Sequence, residues 1–331
     1  MNRLICRFIR RRFAELYNYS SSERDLSNCK SREEFMEHYG FVVAEIARVT
    51  KPGRMTAVHC RDLLLGATTL SDLPGDVIRL HEKHGFHFHS RHVIWKEPLM
   101  AAIRTRSLSL MHKSIVKDST LCRVALPDYI IVMRKAGTNQ SPVAHPMGLT
   151  TYAGEQDDEK RRRNGQTGFP HALAAKYRNW DDPKTNKWSH WIWQRYASSV
   201  WMDIRPGHLL KYQNARETPD EKHICPLQLD AIDRVLTLWS NPDDVVLTPF
   251  MGIGSEVYCA VRMGRRGIGI ELKPSYFAQA KVNIAAAHNP EGDQESFDFY
   301  GPDPDFPDFE DEETEETAEA IEVAEIAGDN E

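Results

Sequence analysis

The chain has 331 residues, 41% of them hydrophobic, and a formal net charge of −6. That length holds one large domain or two modest ones with a real core, and no apolar run approaches the roughly 20 residues that a membrane-spanning helix needs. The charge is unevenly placed: residues 291–331 carry 18 Asp and Glu and no Lys or Arg, which leaves 30 acids against 42 bases in residues 1–290, a net of +12.

A basic body suits a polyanionic partner. The acidic stretch is expected to be a disordered tail, at least after Pro307. It serves either solubility or competition with nucleic acid for the basic surface. The start, MNRLICRFIRRRF, is basic but lacks the apolar stretch and small-residue cleavage site of a secretion signal. The cysteines at 6, 29, 60, 122, 225 and 259 contain no C-x-x-C. That spacing argues against a zinc knuckle and a disulfide framework. The expectation is a reducing, cytoplasmic setting with no bound metal.

In chain order, residues 33–49 place apolar side chains at helical spacing, and Lys51-Pro52-Gly53 stops that helix. MTAVHC (55–60) follows as a buried strand, so the pattern is that of an α/β sheet. A helix is expected over 76–84, and GFHFHSRHVIW (85–95) alternates like a strand. PDYIIVMRK (127–135) is a further strand. Residues 136–200 lose periodicity and gain Gly, Pro, Asn, Lys and Trp, as an inserted or loop-rich region would. CPLQLDAIDRVLTLWS (225–240) is a helix with Pro226 in its first turn. A strand at 245–248, a helix at 254–263, a strand at 267–272 and a helix at 274–287 complete the order.

The stretch LTPFMGIGSE (247–256) reads as strand, glycine turn and helix start. That is half of a nucleotide-binding unit. Gly252 and Gly254 let backbone approach a ligand and supply angles closed to other residues. Glu271 ends the next expected strand, 17 residues after Gly254. An acid at that place accepts hydrogen bonds from ribose hydroxyls. The loop is not G-x-G-x-x-G, so the glycines by themselves do not name a cofactor.

HICPLQL before the loop, TPFMGIGSE itself and GIELKPSYFAQA after it resemble the amino-methylating DNA methyltransferases. The likeness runs on through YNYSSSERDLSNC, KPGRMTAVHCRDL, VIWKEP and LPDYIIVMRK, over roughly residues 13–287. It implies a Rossmann-like α/β fold that binds S-adenosyl-L-methionine. It also implies double-stranded DNA with a flipped target base as substrate, modified on the exocyclic amine of adenine or cytosine. A restriction endonuclease partner and a prophage or restriction–modification setting are implied in the same way. The resemblance places the cofactor at Pro226, Leu227, Thr248, Pro249, Phe250, Gly252, Gly254 and Glu271. Thr248 departs mildly from the acid or small polar residue common there. One branch of this family has a permuted order, which accounts for a cofactor loop so late in the chain. The expected divisions are a catalytic half at 1–135, a target-recognition insertion at 136–221, a cofactor-binding half at 222–290 and the tail at 291–331.

The permutation puts the catalytic motif near the start. The family presents Asp-, Asn- or Ser-Pro-Pro followed by an aromatic residue. A side-chain oxygen and a carbonyl accept the amine's hydrogens, and the aromatic ring stacks on the flipped base. Phe13 fits the aromatic, on a strand expected from Leu4-Ile5-Cys6 and Phe8-Ile9. Arg10-Arg11-Arg12 stand where the polar residue and both prolines belong. Arginine side chains have no hydrogen-bond acceptor, and three cations oppose a sulfonium at short range. Either the protein is a degenerate methyltransferase, weak or inactive, that binds DNA with or without cofactor, or its start reflects a shifted frame. CCG-CCG, encoding Pro-Pro, gives the Arg codons CGC-CGC when read one base out.

Two further groups stand out. HEKHGFHFHSRH carries His81, His84, His87, His89 and His92, with H-E-x-H and not H-E-x-x-H spacing and no cysteine nearby. In a strand His87 and His89 share one face and Phe86 and Phe88 the other, which suits surface histidines better than a metal site. His59 and Asp62 end a strand, where α/β sheets place ligands. KYRNWDDPKTNKWSHWIWQRY (176–196) interleaves Lys176, Arg178, Lys184, Lys187 and Arg195 with tryptophans. Basic groups suit phosphates, and aromatic rings stack on bases or pack a small core. With Glu159-Lys160-Arg161-Arg162-Arg163 just before it, this is the candidate for target recognition. Lys176, Arg178, Lys184, Lys187, Trp188 and Arg195 are the candidate DNA contacts, while Trp191 and Trp193 are expected in the core.

Overall fold

The structure, a computed structural model, describes residues 3–7, 25–65, 69–99, 101, 108–155, 176–177, 180–211 and 226–288. Arg10-Arg11-Arg12, Phe13, Arg178, residues 159–163 and the acidic stretch 291–331 lie outside the described residues. In chain order the elements are β1 (Arg3–Arg7), α1 (Arg32–Val49), β2 (Met55–Cys60), the short pair β3 (Leu63–Leu64) and β4 (Leu70–Ser71), α2 (Leu73–Lys83) and β5 (Phe86–Ile94). Then follow α3 (His112–Lys117), β6 (Asp128–Lys135), α4 (Lys187–Tyr196), β7 (Val200–Trp201), α5 (Leu229–Trp239), β8 (Val245–Thr248), α6 (Ser255–Arg262), β9 (Arg266–Gly269) and α7 (Pro274–Ala286).

The main sheet is ordered β7-β5-β6-β2-β1-β8-β9. β1 pairs in parallel with β2, from Arg3↔Met55 to Arg7↔His59, and in parallel with β8 at Arg3↔Val246 and Leu4↔Leu247. β8 and β9 are parallel, whereas β6 opposes both β2 and β5. β5 therefore runs with β2, and the ends of β5, β2, β1, β8 and β9 share one edge. From β1 the chain turns toward β2, and from β8 it turns the other way. The order reverses between β1 and β8, at the centre of the sheet.

Every residue of β2 is buried, as expected of a strand covered on both faces. Val58 and Cys60 pack with Tyr39, Val43 and Ile46 of α1 and Val77 of α2. Met55 and Ala57 pack with Ile232, Val235 and Leu236 of α5 and Tyr258 of α6. Alternation along the strand thus divides one core from the other. α1 starts at Ser31, whose Oγ accepts from Glu34 N–H at 3.1 Å, while Glu34 Oε2 accepts from Lys30 N–H at 2.6 Å.

The region read as loop-rich contains helix α4 and strand β7, and buried ions fasten it to α5. Arg234 has no exposed side chain; it donates to Ala153 O and stands 2.8 Å from Asp203. Asp230, also fully buried, accepts from Arg205 at 2.5 Å and from His208 at 2.8 Å. Burial pushes the Asp230 carboxyl up, but the hydrogen bonds from Arg205 and His208 outweigh it and hold the group below its ordinary range. Arg54 ties β2 to Asp244 before β8 and donates to Ser141 O at 2.8 Å.

Two boundaries and one strand register differ from the sequence reading. α5 begins at Leu229, so Pro226 precedes the helix and does not sit in its first turn. β9 ends at Gly269, which leaves Glu271 in the turn beyond it. β5 has a bulge between Phe88 and Ser90. The extra residue turns the later positions over. Phe86 accordingly packs beside Met133 in the α1–α2 core, while Ile94 joins the α5 core. Phe88 is 44% exposed, so sharing a face with Phe86 does not bury it. No helix among the described residues is long and apolar enough to cross a membrane.

His81 is fully buried against Tyr39 and Phe86, and its Nδ1 lies 2.8 Å from Val77 O. Burial lowers its pKa to about 4 from an ordinary value of 6.5. Between those values the unfolded chain binds the extra proton, so stability falls as pH drops through that window, by up to about 3 kcal/mol. Urea titrations from pH 7 to pH 4 are expected to show this slope, and His81→Gln is expected to flatten it. An unchanged slope in the variant would assign the loss to other groups.

Candidate functional site

In open α/β sheets a ligand sits beyond the carboxyl ends of the strands, where strand order reverses. Here that place is the gap between the ends of β1 and β8. β8 ends at Thr248, and Pro249 to Gly254 turn the chain into α6. Gly252 has φ +56° and Gly254 φ +92°, both in the left-handed region. A Cβ at Gly254 would stand 3.2 Å from Ala280 Cβ, so glycine is needed there for packing as well. A Cβ at Gly252 would meet nothing within 4 Å, so its backbone has open space before it.

Glu271 closes the loop. Its Oε2 accepts from Gly252 N–H at 2.7 Å and its Oε1 from Lys273 N–H at 2.8 Å. Ile270 N–H donates to Thr248 O at 3.0 Å, and Met251 N–H donates to Ile270 O at 2.8 Å. The turn after β9 thus continues the ladder and brings the acid to the glycines.

The loop has polar and apolar neighbours. Thr248 is fully buried, and its Oγ1 has no protein partner. Gln228 is 6% exposed, and its Oε1 likewise has none. Unsatisfied buried oxygens at a strand end and a helix start fit a ligand that donates to them. Leu227 belongs to the same core cluster as Val246 and Ile253. Phe250 lies on the other side, with its ring 6.5 Å from Tyr39.

At the neighbouring strand ends a charged group converges. His59 Nε2 lies 3.3 Å from Asp128 Oδ2, and Lys96 Nζ lies 2.7 Å from the same oxygen. His59 and Asp128 are buried, while a quarter of the Lys96 side chain is exposed. Asp62 accepts from Tyr129 O–H at 3.0 Å, and burial, reinforced by the Asp62 charge, raises that phenol to about 12. Of the pair singled out from sequence, His59 faces an internal carboxylate and Asp62 lies toward the edge. Asp128, Lys96 and Tyr129 were missed. The residues that open a strand after Pro127 and follow Trp95 do mark the same sheet edge.

The lysine- and tryptophan-rich stretch makes a second surface. Lys176 and Lys187 Nζ lie 5.3 and 6.0 Å from the Tyr177 ring, so they are brought together, and Lys184 is exposed. Arg195 lies 5.1 Å from the Trp191 ring. Trp188 is a correction: it is 2% exposed, donates to Thr150 O at 2.9 Å and stacks on Trp191 at 5.4 Å. A ring so enclosed packs the small core of Leu149, Tyr152, Ile192 and Tyr196 and has no free face for a base. Trp193, expected in the core, is 55% exposed, and Trp180 is 45% exposed. The helical spacing of 188, 192 and 196 marks the buried stripe and leaves 193 off it.

The DNA methylase family, of N6/N4 type, matches residues 14–282. Type II methyltransferase M1.MboII of Moraxella bovis is 35% identical over 86 residues, which are 26% of this chain and 32% of that one. DNA adenine methyltransferase YhdJ of Escherichia coli is 30% identical over 90 residues, 26% of this chain and 31% of that one. The matched segments thus span about a third of these curated relatives. Among solved structures, the Thermus thermophilus protein TTHA0409 complexed with S-adenosyl-L-methionine superposes with TM-score 0.52 at 18% identity, over 86% of each chain. PvuII DNA methyltransferase (cytosine-N4-specific) does so with TM-score 0.50 at 13% identity, over 86% of this chain and 79% of that one. These two likenesses show a shared fold.

If Glu271 holds the loop, Glu271→Ala leaves the Gly252 and Lys273 N–H groups without their acceptor. A loss of about 1–3 kcal/mol is expected in denaturant unfolding. An unaltered midpoint would remove the acid from the loop's support.

Proposed function

Because this chain belongs to the DNA methylase family that its residues 14–282 match, we propose that it transfers a methyl group from S-adenosyl-L-methionine to an exocyclic amine in double-stranded DNA. The acceptor is N6 of adenine or N4 of cytosine. The observation that carries this reading is the Glu271–Gly252 clamp at the reversal point of the sheet. Relatives named for adenine and for cytosine both resemble the chain, so the acceptor is defined as an amine and not as one base. The type II relatives support a restriction endonuclease as a functional partner.

The cofactor supplies an electrophilic methyl on a sulfonium. In this reading Glu271 accepts from the ribose hydroxyls, while the Gly252–Gly254 backbone gives close approach. Thr248 Oγ1 and Gln228 Oε1 supply buried acceptors, Leu227 an apolar wall, and Pro226, Pro249 and Phe250 complete the lining. Phe13 would stack on the flipped base, since the strand before it leaves the sheet beside β8. Lys176, Arg178, Lys184, Lys187 and Arg195 take phosphates, and the exposed rings of Trp180 and Trp193 replace Trp188 as candidate stacking groups.

A second reading keeps binding without turnover. Arg10-Arg11-Arg12 offer no side-chain acceptor to localise the amine's lone pair, and the family match begins at residue 14, just past Phe13. The two readings part on product.

Calorimetry is expected to show S-adenosyl-L-methionine bound by the wild type and bound at least ~10-fold more weakly by Glu271→Ala, equivalent to about 1.4 kcal/mol. No wild-type binding would overturn the methyl-transfer reading. Mass spectrometry of DNA from expressing cells is expected to show N6-methyladenine or N4-methylcytosine. Neither base, with cofactor bound, would leave the binding-only reading.

A further inference from the structure

The chain leaves the carboxyl edge after β5 and returns to it at β6. The ends of this excursion are joined by a buried contact: Lys96 Nζ lies 2.7 Å from Asp128 Oδ2, and Asp128 is fully buried. The two residues are joined by 31 others, 97 to 127, of which the described stretch 109–125 is termed the arm.

The arm does little for the core. From Ser109 to Ala125 no residue is buried, and α3 buries none of its own. Ile115 is 54% exposed, Val116 72%, Leu121 59% and Val124 70%. That many large apolar groups left in water on one short stretch mark a surface that something covers. The same stretch holds Lys113, Lys117 and Arg123 against the single acid Asp118. Lys113 and Lys117 are four apart on a helix and so lie on one side.

We propose that this arm is a second DNA-contacting element, separate from the tryptophan-rich helix α4. Three observations favour a nucleic acid over a protein occupant. The arm rises from the edge that holds the glycine loop and the end of β1, where a flipped base would enter. Its charge is of the sign a phosphate backbone needs. Its apolar side chains stand among those cations, as they do in proteins that press apolar groups between base steps while lysines hold phosphates. Lys113 and Lys117 take the backbone, and Ile115 and Val116 the groove. The inference rests on the DNA methylase reading above.

The test uses the full chain, a random-sequence duplex and fluorescence anisotropy over a salt series. Lys113→Gln/Lys117→Gln is expected to make the slope of log K against log salt shallower by about 2, the value for two lost phosphate contacts. Ile115→Ser/Val116→Ser is expected to weaken binding at every salt with the slope kept. Both variants are expected to bind S-adenosyl-L-methionine like the wild type, since the arm lies outside that pocket. An unchanged slope in the glutamine pair overturns this inference alone. So does a change of oligomeric state in the serine pair by light scattering, which would make a second copy the occupant. A wild type that binds no duplex overturns the DNA reading and this inference with it.

Discussion

The architecture depends on one shared strand. β1 is paired on one side with β2 and on the other with β8, both in parallel. Those neighbours lie far apart in sequence, so β1 makes one sheet of two stretches of chain. Without it, β8 and β9 would be a two-stranded fragment with little independent stability. Its place also creates the site. β1 is followed in the sheet by β2 on one side and β8 by β9 on the other, so the strand order reverses between β1 and β8. The gap there is a consequence of chain path and not of any single side chain.

What fills that gap is backbone held by an acid. The glycine turn needs left-handed angles, and such a turn gains rigidity only from outside contacts. Glu271 provides them from the turn after the next strand, with one oxygen on Gly252 and the other on Lys273. The same carboxylate thus supports both the glycine turn and the start of α7. Buried oxygens on Thr248 and Gln228 lack protein partners, a cost that a bound donor offsets.

Charge organises the remainder. The middle of the chain is held to α5 by the buried Arg234 and Asp230, the latter paired with the half-exposed Arg205. The packing that encloses Trp188 leaves Trp180 and Trp193 in water. Two basic, partly apolar surfaces result, one on α4 and one on the arm between β5 and β6. The division suits a polyanion held at more than one place while a base is presented at the sheet edge.

The sequence by itself marked the strands β2, β5, β6, β8 and β9, the helices α1, α2, α5, α6 and α7 and the glycine loop at 252–254 with Glu271 after it, but not β7, α3 or α4. These are legible because strand burial, helical spacing and turn glycines are local properties. The tertiary structure decided the rest. It moved Pro226 out of the helix and Glu271 out of the strand, since ends are set by the neighbours that compete for backbone hydrogen bonds. It turned β5 over at a bulge, which no alternation pattern reveals. It placed Trp188 inside and Trp193 outside, although both are tryptophans among basic residues. It joined Lys96 to Asp128 across 31 intervening residues, because burial of a carboxylate demands a partner from wherever the fold supplies one.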